Sequence, residues 1–155
     1  MIHRTRHKVR AGALALLCLG LIAIDAQPAH AQRAEDISFD DIKFDMEKGG
    51  DFQRSMLTDR IEGLVGKRIR IRGYILPSFK QKGIKQFVLV RDNMECCFGP
   101  GAALFDAIIV RMAPGKTTSF SVRPVAVEGT FDVQEVRGPN GKHLAIYAMT
   151  ADEVK

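Results

Sequence analysis

Two segments of the chain alternate apolar and polar residues, and each has a glycine in its middle. They are residues 67–77, around Gly73, and residues 125–134, around Gly129. Alternation with a period of two is the pattern of a β-strand with one buried face and one solvent-facing face. A glycine inside a long strand marks a sharp bend or a close approach of another backbone. The chain is therefore expected to fold around a strongly curved β-sheet.

Three further strands are predicted around these two. Residues 87–90 and 107–110 are apolar on both faces, which indicates short buried strands. Residues 144–148 alternate again, after a turn at residues 137–141 (RGPNG). Before the first strand, Thr58 provides a helix N-cap, and the apolar residues Ile61 and Leu64 follow three positions apart. This pattern predicts a short helix.

The number and spacing of these elements define a fold class. With 155 residues and 46% hydrophobic content, the chain suits one domain. We predict an all-β fold, a small five-stranded OB-like barrel preceded by a short N-terminal helix. The connection at residues 113–121 is too short for the helix that usually joins the third and fourth strands of that barrel. A small β-sandwich is the alternative architecture.

The N-terminal residues resemble an export signal. Four basic side chains within residues 1–10 precede the uncharged residues 11–24, and the triplet Ala29-His30-Ala31 follows. The apolar run is shorter than the roughly 20 residues that span a bilayer as a helix. We predict a secretory signal peptide at residues 1–31, a periplasmic or secreted protein, and no transmembrane segment after cleavage. An uncleaved membrane anchor is the alternative.

The remaining chain divides into an acidic leader, residues 32–51, and the OB-like β-barrel domain, residues 52–155. Removing residues 1–31 takes away four basic side chains and Asp25, so the formal net charge falls from +5 to +2. A domain that neutralises several phosphates usually keeps a larger basic excess. No nucleic-acid partner is therefore expected.

The strongest local signal is the adjacent pair Cys96 and Cys97, followed by the turn sequence Gly-Pro-Gly at residues 99–101. Thiolates are strong ligands for zinc or copper(I), and Met94 or Glu95 could add to such a site. A disulfide between the two neighbours is a second interpretation. Small apolar packing in a tight loop is a third.

His143 is the one histidine beyond residue 31. In an OB-like barrel the third and fifth strands are parallel neighbours, so the start of the fifth strand lies near the loop that carries the cysteines. This places His143 as a third metal ligand beside Cys96 and Cys97. The alternative is an ordinary surface or hydrogen-bonding histidine.

A second candidate site is the polar face of the first long strand. It combines three arginines with a tyrosine and is supported by lysines in the following loop: Arg68, Arg70, Arg72, Tyr74, Lys80, Lys82 and Lys85. Such a face could bind an anionic envelope component or an acidic partner protein. The alternative is a solvated outer face without a partner.

An enzyme is not expected. The chain lacks a Gly-x-Ser-x-Gly nucleophile elbow, a glycine-rich phosphate loop and a helical paired-histidine motif. A cysteine nucleophile would need a histidine base that is oriented by an acidic residue. The next acidic residue after His143 is Asp152, so the two make a poor candidate set.

Three segments resemble a family of secreted bacterial envelope proteins of unknown function. They are residues 73–77 (GYILP), 87–90 (FVLV) and 96–99 (CCFG), and the resemblance spans about residues 64–149. The resemblance implies an exported or lipid-anchored protein with an OB-like domain, and some members are encoded beside zinc-responsive ABC transporters. Some relatives carry Cys-x-His where this chain has Cys96-Cys97-Phe98, so the histidine ligand of that motif is not matched at Phe98.

Together these features predict an exported, non-enzymatic binding protein that holds zinc or copper through Cys96, Cys97 and His143 in envelope metal homeostasis. The expected partner is an envelope protein or a transporter. The alternative function is a structural or adaptor domain that binds an envelope partner through the basic strand face, with Cys96 and Cys97 joined in a local disulfide.

Overall fold

The described part of the chain is mostly β-sheet. A computed structural model describes residues 33–46, 50–76, 78–92 and 103–155. The predicted signal peptide and the cysteine pair lie outside these residues. The strands are β1 (Glu35–Ile37), β2 (Arg68–Ile75), β3 (Gln86–Val90), β4 (Ala107–Met112), β5 (Val125–Arg137) and β6 (His143–Val154).

All five strands predicted from the sequence are confirmed, as β2 to β6, and β6 runs beyond residue 148 to Val154. Short 3-10 turns connect some of them, at Phe39–Ile42, Arg54–Met56 and Leu104–Asp106.

The predicted N-terminal helix is not formed beyond one turn. Helix α1 spans only Asp59–Glu62, with the Thr58 side chain accepting a hydrogen bond from the Ile61 amide at 3.3 Å. The chain then leaves the helix at Gly63 so that Leu64 can enter the core, where it is fully buried. A single turn has little stability of its own and depends on this packing. In the described residues, no helix has the length and apolar character needed to cross a membrane.

The six strands form one sheet in the order β1-β2-β3-β4-β6-β5, and β2 also pairs with β5. The β1–β2 and β4–β6 pairs are parallel, and the others are antiparallel. Because all six strands belong to one sheet, the alternative architecture, a small β-sandwich, is not observed. The sheet is also not a clean barrel. Strand β3 pairs with the end of β2, at Tyr74 and Ile75, whereas residues 69–71 on the same edge of β2 pair with β1.

Both predicted bend glycines lie where another backbone approaches closely. A Cβ on Gly129 would lie 2.1 Å from the Thr150 carbonyl oxygen, and the β5–β6 register shifts between Glu128 and Gly129. A Cβ on Gly73 would lie 2.6 Å from the Val90 carbonyl oxygen. The curvature of the two long strands therefore requires the absence of a side chain at these positions.

The segment predicted as an acidic leader packs against the sheet. Strand β1 pairs with β2, and Phe39, Ile42 and Phe44 are buried. The Tyr147 hydroxyl of β6 donates a hydrogen bond to the Ile42 carbonyl at 2.7 Å. This part of the leader therefore contributes to the same core as the sheet.

The strand directions define two ends of the sheet. Strands β4 and β6 run in parallel, so both start at one end, which we call the lower end. The β5–β6 turn at residues 138–142 lies there too. The β2–β3 and β4–β5 connections, described at residues 76, 78–85 and 113–124, lie at the opposite, upper end.

Candidate functional site

His143 begins β6 at the lower end, paired in register with Arg137 of β5. Its side chain is only 3% exposed, and Nε2 lies 2.8 Å from Glu135 Oε2. Arg137 Nη2 donates to the same carboxylate oxygen at 3.2 Å. The hydrogen bond from His143 is the main cause of a lowered pKa of Glu135; desolvation opposes it, and the hydrogen bond from Arg137 adds to it. The imidazole is thus fixed by a carboxylate.

A row of aromatic rings packs against the imidazole. His143 meets Phe52 edge to face at a centroid distance of 5.6 Å, and Phe52 meets Phe44 at 5.7 Å. Phe44 in turn meets Phe105 at 5.3 Å. Edge-to-face contacts at these distances are favourable aromatic geometry. The aromatic row joins the start of β6 to the turn that precedes β4.

The predicted neighbourhood of the third and fifth strands is confirmed. In the structure these are β4 and β6, which pair in parallel with Ile108 opposite Tyr147. The segment that carries Cys96 and Cys97 leaves β3 and returns to β4 at the lower end, where His143 also lies. The two predicted cysteine ligands themselves lie outside the described residues.

The base of the cysteine-bearing segment is held by a small polar network. The Arg91 amide donates to the Asp106 carbonyl at 3.0 Å, and the Ala103 amide donates to Asp106 Oδ2 at 3.4 Å. The Arg91 guanidinium pairs with Asp40 and lies 3.7 Å from Asp106 Oδ1. That Oδ1 atom is buried and accepts no hydrogen bond from the described residues. The segment is therefore anchored at both of its ends.

A metal site made entirely from the described residues is not found. Within residues 33–46, 50–76, 78–92 and 103–155, no cluster of three or more His, Cys, Asp or Glu side chains is placed to hold a metal ion. His143 with Glu135 supplies two such side chains at the lower end.

The basic strand face is largely neutralised by acidic side chains. Arg68 pairs with Asp152 of β6 and lies 3.6 Å from Glu128 of β5. Arg70 lies 3.7 Å from Glu128 and 3.8 Å from Asp36. These contacts tie β2 to its neighbours and leave little net positive charge at the two arginines.

The rest of that face is less constrained. Arg72 is exposed and makes no ion pair with the described residues, and Tyr74 is half-buried beside it. The structure therefore separates the four predicted partner-binding residues into two that are paired within the sheet and two that are not.

The side chains that surround His143 are not among those predicted from the sequence. The acidic partner is Glu135, which precedes His143, whereas Asp152 pairs with Arg68. A signal for Glu135 exists, because the turn at residues 138–142 folds the end of β5 back onto the start of β6. Phe52 and Phe105 carry no comparable signal, since tertiary packing alone brings them to this end.

These features define a mostly β domain, built on one six-stranded sheet, with a carboxylate-held histidine at one end. A family model described as "Protein of unknown function (DUF3299)" matches residues 21–155. The chain therefore belongs to the DUF3299 family, which confirms the predicted membership in a family of unknown function.

A solved structure of the same family supports the fold. The crystal structure of a DUF3299 family protein from Pseudomonas aeruginosa PAO1 is similar with a TM-score of 0.52 and 17% sequence identity. The similarity covers 79% of this chain and 95% of that one. At this identity the comparison shows the fold alone. No curated protein matches the chain.

Proposed function

We propose that this DUF3299 protein is an exported, non-enzymatic binding protein that holds one thiophilic metal ion, zinc or copper(I), through Cys96 and Cys97 with His143. The predicted export signal at residues 1–31 and the vicinal thiols support this proposal from the sequence. Its place would be in metal handling at the cell envelope, beside an envelope protein or a transporter.

The proposal includes a more specific assignment of the fold. We infer an OB-like barrel, because the pairings β2–β3–β4–β6–β5–β2 make a continuous circuit with one parallel step, between β4 and β6. In such a barrel the β3–β4 connection and the start of β6 share one rim. This arrangement would bring the cysteine-bearing segment beside His143.

The observation that carries the metal proposal is the contact between His143 Nε2 and Glu135 Oε2 at 2.8 Å. Metal-binding histidines commonly donate one ring N–H to a carboxylate, which fixes the ring and makes the other nitrogen a better ligand. With Nε2 donating to Glu135, the lone pair for a metal is on Nδ1. The 3% exposure of the side chain further restricts the ring to one orientation.

The chemistry of the three residues suits a soft or borderline cation. Zinc accepts two thiolates and an imidazole, with a fourth ligand completing a tetrahedron, and copper(I) is bound well by thiolates. The buried Asp106 Oδ1, which accepts no hydrogen bond from the described residues, is an oxygen ligand candidate for zinc. An oxygen ligand is less suited to copper(I), so its participation would favour zinc.

Native mass spectrometry of the full chain, after incubation with zinc sulfate or with copper(I) and dialysis, tests the proposal. We expect one metal ion per wild-type chain and none in the Cys96→Ser/Cys97→Ser variant. Cys18→Ser is the matched control, because it removes the third cysteine of the chain and leaves the pair intact. The His143→Gln variant is expected to bind metal more weakly, and Asp106→Asn tests the oxygen ligand.

Other results would change the conclusion. One such result is a wild-type chain without metal whose mass is two hydrogens below that of the reduced chain. If the double serine variant lacks this difference, the result favours the alternative, a local disulfide and an adaptor role. In that case Arg72 and Tyr74 are the residues of the basic strand face still available to a partner, since Arg68 and Arg70 are paired. Two free thiols with no metal would contradict both roles.

A further inference from the structure

The two loops at the upper end are joined into one surface. Ile84 and Thr118 exchange two backbone hydrogen bonds of 2.9 Å, and the Phe120 amide donates to the Gln81 carbonyl at 3.0 Å. Residues 78–85 and 113–124 therefore form a connected structure, which we call the cationic loop surface. The side chain of Ile84 is buried beneath it.

The charge of this surface has one sign. Residues 78–85 and 113–124 contain no aspartate or glutamate and five exposed basic side chains, namely Lys80, Lys82, Lys85, Lys116 and Arg123. Within the part of the chain that the structure describes, none of the five makes an ion pair, unlike Arg68 and Arg70 of the strand face. Their charge is therefore available to an external partner.

Two large apolar side chains project from the same surface. Phe79 has a relative exposure of 110% and Val122 one of 76%. Isolated surface hydrophobics are common, but these two lie within a few positions of the unpaired basic residues Lys80, Lys82 and Arg123. Exposed aromatic and aliphatic tips among unpaired cations are typical of surfaces that contact anionic membranes.

We propose that the cationic loop surface docks on an anionic phospholipid bilayer, with Phe79 and Val122 entering the headgroup region and the five basic side chains contacting lipid phosphates. A bilayer accepts a protruding ring without a matching cavity, whereas a protein partner would have to provide a pocket for Phe79. Charge complementarity with an acid-free surface supports the same occupant. The inference goes beyond metal binding and is independent of it, since His143 lies at the lower end.

A single tryptophan reports this contact locally. The chain contains no tryptophan, so Phe79→Trp places one fluorophore on the surface and Leu144→Trp places one at an exposed position at the lower end. The full-length variants are mixed with vesicles of phosphatidylglycerol and phosphatidylcholine in equal parts, or of phosphatidylcholine alone. A blue shift at residue 79 requires that the loop itself enters the lipid, so lipid contact of residues 11–24 alone would not produce it.

We expect a blue shift for Phe79→Trp on the anionic vesicles, quenching by lipids with brominated acyl chains, and neither effect for Leu144→Trp. Each basic residue near an anionic surface contributes about fivefold in partitioning. Adding Lys80→Gln, Lys82→Gln and Lys116→Gln should therefore raise the lipid concentration for half-maximal shift roughly 100-fold. The matched control, Lys43→Gln, Lys67→Gln and Lys142→Gln, removes three exposed charges elsewhere and should leave the titration unchanged.

The proposal is overturned if residue 79 shows no shift on anionic vesicles, an equal shift on phosphatidylcholine alone, or a shift that Leu144→Trp reproduces. It is also overturned if polyglutamate shifts the emission and anionic vesicles do not, since the partner is then an acidic protein. Loss of metal binding in the cysteine variants leaves these readings unaffected, so the two proposals fail separately.

Discussion

Tyr147 carries a hydroxyl group into the centre of the core. Its side chain is fully buried, and its hydroxyl donates to the Ile42 carbonyl at 2.7 Å. Ile42 is also fully buried, so no water can replace the donor without entering the core. This single bond links the N-terminal segment to the last strand.

Replacing Tyr147 by phenylalanine should destabilise the protein by about 1–3 kcal/mol, because the Ile42 carbonyl is left buried without a donor. Urea unfolding followed by circular dichroism measures the change. Tyr74→Phe is the matched control, since Tyr74 is half-buried and its hydroxyl makes no hydrogen bond with the described residues. Equal stability of the two variants would contradict the assigned role of the hydroxyl.

The buried Tyr147 hydroxyl should also determine how the protein responds to alkaline pH. Burial raises the pKa of Tyr147 well above the ordinary value of 10.0. In the Tyr74→Phe variant, where Tyr147 is the one remaining tyrosine, tyrosinate absorbance should therefore not appear until unfolding begins. Because Tyr147 ionises near pH 10 only when unfolded, its contribution to stability is complete below that pH and falls as the pH rises above it. Ionisation of Tyr147 in this variant before loss of structure would contradict this.

The contact between His143 and Glu135 can be tested through the carboxylate. The hydrogen bond from His143 is the main cause of the lowered pKa of Glu135. In a His143→Phe variant, which keeps an aromatic ring against Phe52, the carboxyl pKa should rise toward its ordinary value of 4.5. Carbon NMR titration measures it, with Glu62 as an internal control because Arg54 lowers its pKa separately.

The sign of the pH dependence follows from the same contact. Since folding favours the Glu135 carboxylate, its contribution to stability is present above pH 4.5 and is lost as the pH falls through the lowered pKa. An unchanged Glu135 titration in His143→Phe would show that the contact does not hold in solution.

At the scale of single elements, β5 is the strand most sensitive to an added side chain, because its Gly129 lies against the backbone of β6. Gly129→Ala should destabilise the fold by about 3 kcal/mol or more, because the added Cβ would meet backbone atoms of β6 that cannot move away independently. Thermal unfolding compared with Gly138→Ala measures the effect. At Gly138 the nearest atom to an added Cβ is the flexible Asn140 side chain, at 3.1 Å. Similar losses in both variants would contradict the close approach.

A strand could be predicted where its own sequence pattern favours it, and could not be predicted where it forms only by pairing with another strand. Strand β2 alternates isoleucines with arginines, so the pattern itself identifies it. Strand β1 has three residues and forms because β2 leaves an edge open beside residues 69–71. The end of β6 is polar at Asp152 and Glu153, and it is a strand because it is paired with β5.

The candidate site follows the same division. The position of His143 could be predicted from strand order, because the parallel neighbours β4 and β6 must start at one end. Its contact with Glu135 depends on register shifts between Val133 and Arg137, which local sequence does not specify. Phe52 reaches the imidazole through packing between segments distant in sequence. Short-range patterns do not contain that information.

At the scale of the whole molecule, stability should be uneven. Residues 146–149 of β6 are buried and lie between β4 and β5, whereas β1 is three residues long and, among the described strands, has β2 as its single neighbour. We expect amide hydrogen exchange at residues 146–149 to require global unfolding and exchange in β1 to proceed through local opening. Mass spectrometry of peptic fragments measures both. Equal protection of the two strands would contradict this gradient.

The central position of β6 has a consequence for biosynthesis. A nascent chain that ends before His143 can already form the β3–β4 and β2–β5 pairs, but β4 and β5 each still lack β6, their neighbour on the other side. Each strand therefore keeps one edge of exposed backbone donors and acceptors until residues 143–154 have been synthesised. Such an open edge is a site for chaperone binding or for association with another chain.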